Sequence, residues 1–265
     1  MNKPALFQAR WNMRALVACN AAALLLLGLW IWPAGKQLFT AFDISVFHLL
    51  NQPLATNLAW RSIWAVGSVR PFDIVVGLIL LTLLIRGNYI FDRSQVRQAF
   101  LGFIALLVAL LIIRGVFSAI CDHMLWQHSS PSLVVPDAVR LENLYPNTNP
   151  RLELKDESNQ SFPGDHASVL LIWAMFMSVF SRRASQQWVI WGLVVLFSLP
   201  RLVAGAHWGQ DDYIGGVLMA LLALGWSFYT PYQAKATAWL LKLSAPVFDL
   251  LQQVPLLRRL SVIGG

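Results

Sequence analysis

The sequence predicts an all-α fold: a polytopic membrane bundle of six transmembrane helices, followed by an interfacial C-terminal segment. Three observations predict it. Of the 265 residues, 57% are hydrophobic and only 12% charged, against about 25% charged in soluble domains. Leu, Ile, Val and Trp gather in runs approaching the roughly 20 residues that a helix needs to cross a bilayer. The basic residues also cluster between alternate runs, as expected of loops that stay on the cytoplasmic side.

The elements follow in order. Residues 15–32 read as a first span and an uncleaved anchor, with Trp30, Trp32 and Pro33 at its outer interface. Residues 34–70 form an outward connection with some helix. Arg70-Pro71-Phe72-Asp73 then opens a second, short span ending at Ile85. Proline at a helix start and an acidic residue in the first turn both favour this boundary. Asp73 reads either as that helix-start residue or, with Arg70, as part of a phosphate site. Residues 99–120 form the third span. Arg114 interrupts it near the outer end, where a charge either faces a polar cavity or partner, or snorkels to the interface.

Residues 121–165 make a long outward loop rich in Pro, Asn and Ser, a length associated with substrate lids and docking loops. Spans over 167–180 and 188–199 follow, separated by Arg182-Arg183. The sixth covers 212–229, where Gly215-Gly216 permits close helix approach. Residues 1–231 thus form one membrane domain. Residues 232–265, with Leu, Trp and Phe among Lys and Arg and breaks at Pro246 and Pro255, suit an amphipathic tail on the inner leaflet.

The formal charge of +7 is divided by side rather than spread over a nucleic-acid surface. The inner segments hold Lys3, Arg10 and Arg14, then Arg86, Arg93 and Arg97, then Arg182 and Arg183, and finally Lys235, Lys242, Arg258 and Arg259. Only Asp92 and Asp249 oppose them. His166 and His207 then share the outer face. Cys19 and Cys121 lie in or near different spans and read as apolar fillers, not as a disulfide or metal site.

The chemistry concentrates between Phe162 and Asp212. His207 and Asp211, four apart, fall on one helix face. The carboxylate can hold one ring nitrogen as a donor and leave the other free to attack. Arg201 is a natural anion clamp. Gly164 admits a ligand close to the backbone, and the helix start beside it offers N–H groups to an anion. His166 is a candidate general acid. Two histidines with a cation suit phosphoryl transfer by positioning and charge neutralisation. A transporter reading finds no repeated halves or matched broken helices. An inactive membrane scaffold is the remaining alternative.

Pro163-Gly164-Asp165-His166 and Arg201-x5-His207-x3-Asp211 resemble the second and third motifs of the type 2 phosphatidic acid phosphatase superfamily. Within it, Arg70-x-Phe72-Asp73, Lys155-Asp156, Ser161 to His166 and Pro200-Arg201-x4-Ala206-His207-Trp208 are most similar to a branch of bacterial inner-membrane phosphotransferases. Those enzymes move a phosphate from undecaprenyl diphosphate to lipid A. The resemblance spans about residues 40 to 231 and implies a periplasm-facing site needing neither metal nor cofactor. It implies His207 as nucleophile forming a phosphohistidine, activated by Asp211. It implies His166 as the acid that protonates the leaving lipid phosphate and then deprotonates the acceptor. Arg201 and the Gly164 backbone would bind phosphate. The superfamily's first motif has a lysine and an arginine ahead of a proline; here Gln127-His128-Ser129-Ser130-Pro131 stands in its place. The serine of the second motif is Gly164, and Asp165 adds a negative charge. Lys155, Arg114 and a protonated His128 are the candidates to restore positive charge. Water replacing lipid A as acceptor would make the same residues a lipid phosphatase.

Overall fold

The computed structural model describes residues 6–146 and 152–265. Lys3 and the middle of the outward loop, 147–151, lie outside the described residues. The fold is all-helical there, apart from a single antiparallel bridge between Val69 and Leu154.

Helix starts and stops follow local chemistry. Helix α1 (Met13–Ile31) is capped by the Asn12 side chain, which accepts from the Ala15 N–H at 3.3 Å. Pro33 opens α2 (Pro33–Asn51), and Asn57 caps α3 (Leu58–Ser68). Arg70-Pro71 opens α4 (Arg70–Ile85), with Asp73 in its first turn. A short turn capped by Asp92 leads into α5 (Val96–His123). Gly164 precedes α6 (Asp165–Phe180). Helix α7 (Ala184–Ala204) ends at Gly205, whose φ of 81° is the left-handed stop that glycine adopts without strain. A widened π-type turn, Asp211–Gly216, feeds α8 (Val217–Phe228), and α9 (Tyr232–Gln252) follows.

Helix α8 is the centre, packed against α1, α5 and α6. The core around it is aromatic: Phe7, Phe91, Phe176, Phe180 and Phe228 meet at ring-centroid distances of 5.0 to 6.3 Å. The outside is apolar too. Leu24 and Leu25 on α1, Leu111 and Ile112 on α5, and Trp188 and Val195 on α7 are all exposed, far more than a water-facing surface carries.

Among the described residues, three helices are long and apolar enough to cross a membrane: Met13–Ile31, Arg93–His123 and Ala184–Ala204. The pair Asp211–Phe228 and Tyr232–Gln252, bent by 75°, adds a fourth if taken as one span. That is fewer than the six expected. Helices α4 and α6 have only 16 residues each, short of the roughly 20 that cover the hydrocarbon core.

One other expectation is extended and one is corrected. The 34–70 connection is helical almost throughout. The tail does not break at Pro246, because α9 runs through it. A proline forgoes one intrahelical bond, and α9 keeps its place by burying Gln233, Thr237 and Phe248. Gln233 donates to the Gly102 carbonyl at 2.7 Å, and Arg97 lies 4.5 Å from the Phe248 ring centroid. Cys19 and Cys121 are both free thiols.

Candidate active site

The end of α1, the start of α4, the end of α5, the start of α6, the end of α7 and the turn before α8 converge at one end of the bundle. His207, in the turn between α7 and α8, is nearly buried, with 6% of its side chain exposed. Its Nδ1 lies 3.1 Å from the Ser161 carbonyl oxygen and 3.5 Å from Asp211 Oδ2. A carbonyl only accepts, so Nδ1 carries the proton and Nε2 is the nitrogen with a free lone pair in the neutral ring. Asp211 is fully buried and fully used: Oδ1 faces His128 Nε2 at 2.8 Å, and Oδ2 accepts from the Trp208 N–H at 2.8 Å.

The position of the missing first motif is therefore not idle. His128 joins the network through the carboxylate behind His207, not as a cation in front of it. Burial alone would favour a neutral His207. The Asp165 and Asp211 carboxylates, with the charge of Asp212, outweigh that and push its pKa up to about 10.

Two carboxylates face the cations of the site. Asp165 Oδ1 is 3.3 Å from His207 Nε2 and 4.0 Å from His166 Nδ1. Asp73 Oδ1 is 2.9 Å from His166 Nε2, and the same carboxylate accepts from Arg201 at 2.7 and 2.8 Å. The other guanidinium nitrogen of Arg201 donates to the Ser68 carbonyl at 3.1 Å and to that of Lys155 at 3.4 Å. Asp73 is thus more than a helix-start residue: it couples the acid candidate to the anion clamp.

The remaining candidates are placed as follows. Gly164 donates its N–H to the Asp211 carbonyl at 2.9 Å, so this N–H is engaged with the π-type turn rather than turned to a ligand. A Cβ at Gly164 would stand 2.9 Å from that carbonyl oxygen and 2.6 Å from Asp212 Oδ1, which is why no side chain fits. Lys155 meets the site through its backbone: its N–H donates to Ser68 at 2.9 Å. Arg70 forks onto Glu153 at 2.7 and 2.8 Å, out in solvent. Arg114 lines a groove that reaches His166 and Asp165.

Some supporting residues escape a sequence reading. Asp43 on α2, 2% exposed, accepts from the Gln210 N–H at 2.9 Å and the Tyr213 hydroxyl at 3.0 Å. Trp30 donates to the Gln210 side chain at 2.7 Å and stacks on Phe162 with centroids 4.2 Å apart. An acid inside the apolar run 38–50 was the available signal for Asp43.

The sequence shows no separate acidic cluster, yet folding of the outward loop brings Glu142, Asp156 and Glu157 within 4.8 Å of one another. Arg140 sits among them, pairing with Glu142 at 2.7 Å and Asp156 at 3.6 Å, and also with Glu157.

The sequence model of the PAP2 superfamily matches residues 106–236. The lipid A 1-diphosphate synthase of Escherichia coli (strain K12) is 29% identical over 225 residues, covering 83% of this chain and 89% of that protein. No solved structure matches the chain. The motif resemblance and these matches agree: residues 106–236 are similar to the PAP2 superfamily, and most of the chain is similar to a lipid A 1-diphosphate synthase.

Proposed function

We propose that the chain is a membrane lipid phosphotransferase that moves a phosphate from undecaprenyl diphosphate to lipid A through a phosphohistidine at His207. The observation that carries this reading is His207 itself: its Nδ1 is held as a donor by Ser161 and Asp211, which reserves Nε2 for phosphorus. The PAP2 superfamily match and the named relative support a lipid phosphate as substrate.

In this mechanism Asp165 swings away from Nε2 and substrate oxygens take its place. The departing Asp165 carboxylate takes the Nε2 proton with it, which frees the lone pair of His207. Nε2 then bonds to the terminal phosphorus as the P–O bond to the bridging oxygen breaks. His166, held by Asp73, gives its proton to the leaving lipid phosphate and takes one from the acceptor in the second step. Arg201, held in place by the Lys155 and Ser68 carbonyls, neutralises the transferring group, and His128 holds Asp211. The residues present supply nucleophile, acid and cation without calling on a metal or cofactor.

The six-span layout belongs to this proposal. Helices α1, α5 and α7 end at the site, and α4, α6 and the turn before α8 begin there. That is the alternation of six successive crossings. With basic inner loops, this alternation supports a site on the periplasmic face of the inner membrane.

One observation favours a second reading, a phosphatase with water as acceptor: the His166 side chain is 28% exposed, so water reaches the acid. The deciding experiment uses purified protein in detergent with undecaprenyl diphosphate, with and without lipid A. Phosphate moved to lipid A, and lost in His207→Ala by at least about a thousandfold, supports transfer. Equal phosphate release with or without lipid A supports hydrolysis. Full activity of His207→Ala would overturn both.

A further inference from the structure

A groove of about 310 Å³ runs from His166 and Asp165 down between α4, α5 and α6. Its deeper walls are apolar, with Val76 and Leu80 on α4, Leu110 and Leu111 on α5, and Val169 and Leu170 on α6. At its upper end stands Arg114. Arg201, Arg70 and Arg140 each pair with a carboxylate, whereas Arg114 makes no ion pair among the described residues. Its Nε is shielded from solvent and lacks a hydrogen-bond partner. A guanidinium on a long apolar helix, unpaired and lining a groove, is costly unless an anion meets it there. The groove therefore has an apolar shaft, a cation at its neck, and the proton-transfer residues at its mouth.

We propose that this groove takes the hydrocarbon chain of a lipid diphosphate, and that Arg114 binds the inner phosphate, the one attached to the chain. The assignment rests on the lipid-phosphate reading above and adds the means of choosing a diphosphate donor. When Nε2 of His207 bonds to the outer phosphorus, the bond from that phosphorus to the bridging oxygen breaks. The electron pair stays on the inner phosphate, and His166 supplies a proton to it. Arg114 meets the charge gathering on this leaving group. A lipid monoester whose only phosphate sits at His207 has nothing to offer Arg114. The lipid monophosphate left by transfer, by contrast, places its phosphate at Arg114.

Two inhibitors separate the two phosphate positions. Inorganic phosphate needs only the position at His207 and Arg201. A polyprenyl monophosphate, bound as product, needs Arg114 and the groove. In full-length protein, Arg114→Gln is expected to lower kcat/KM for a polyprenyl diphosphate roughly ten- to hundredfold, the worth of a charge-assisted hydrogen bond. It should weaken inhibition by the polyprenyl monophosphate by a similar factor and leave inhibition by inorganic phosphate unchanged, which also reports that the fold is intact. Arg114→Lys should recover part of the loss. Gly77→Leu tests the shaft separately. Gly77 lines the groove and a Cβ there meets nothing within 4 Å, so a larger side chain occupies groove space and should raise KM for the diphosphate, again without touching inhibition by inorganic phosphate. Equal weakening of both inhibitors in Arg114→Gln, or turnover indistinguishable from wild type, overturns the assignment of Arg114 alone. Absence of turnover by the wild-type protein on any lipid phosphate overturns the enzyme reading beneath it.

Discussion

The two histidines of the site sit in unlike surroundings. His207 is buried in a turn and held on several sides: Ser161 and Asp211 at its ring, with His128 and Trp208 behind Asp211. Asp43 and Trp30 fasten the next residues of the chain, through Gln210. His166 stands at the start of α6 on the edge of a groove. Its partners are Asp73, one-third exposed, and Asp165, about half exposed. Under the proposed mechanism, the contrast separates two tasks. A nucleophile gains from one fixed tautomer and one fixed direction, which burial and complete hydrogen bonding provide. A residue that passes protons to a departing lipid and then to an arriving acceptor has to stay open to both. The carboxylates lying against the cations are on the open side, where a substrate anion can replace them.

Breaking the fixed half should cost most. Asp211→Asn keeps the shape but removes the charge behind His207 and one acceptor of His128. A fall in kcat of about 10² to 10⁴ is expected, the range seen when a histidine loses its orienting carboxylate, with KM little changed. Steady-state kinetics on the lipid substrate decide this. A loss confined to KM would show that Asp211 serves binding instead.

Gly164→Ala comes next. The added methyl group must push against the Asp211 backbone and the Asp212 carboxylate. Overpacking of this kind costs about 1–3 kcal/mol, visible as a lower melting temperature together with lost activity. An unchanged melting temperature would mean that the α6 start and the π-type turn yield easily, which would contradict a rigid nucleophile half.

The smallest effect sharpens the comparison through pH. The pKa of His207 is raised from an ordinary 6.5 to about 10. Its contribution to stability is therefore fully present below about pH 6.5 and is lost as pH rises through 10. Asp165→Asn removes one of the carboxylates responsible, so the variant's melting temperature should fall less than the wild type's between pH 7 and 10. Parallel curves for the two proteins would show that Asp165 does not hold the His207 proton.

Much of this site is legible in the chain. The Arg201-x5-His207-x3-Asp211 spacing places a cation, a ring and a carboxylate within one short stretch of chain. The helix boundaries are equally local. Pro33, Asn57, Pro71 and Gly205 punctuate the helices for reasons confined to a few residues. The number of crossings is less legible, because a 16-residue apolar helix satisfies hydropathy without spanning the membrane unaided.

What local pattern alone determines here is an apolar all-helical chain with basic connections and a histidine pair at one end. Tertiary structure decides which groups those histidines meet. His128 reaches Asp211 across 83 residues, Asp73 reaches Arg201 across 128, and Asp43 reaches Gln210 across 167. Each contact depends on how helices cross and how far a loop folds back, and packing sets those quantities. The same holds for Arg114. A charge in an apolar run announces a cost, but only the packing of α4, α5 and α6 shows that the cost falls at the neck of a groove leading to His166.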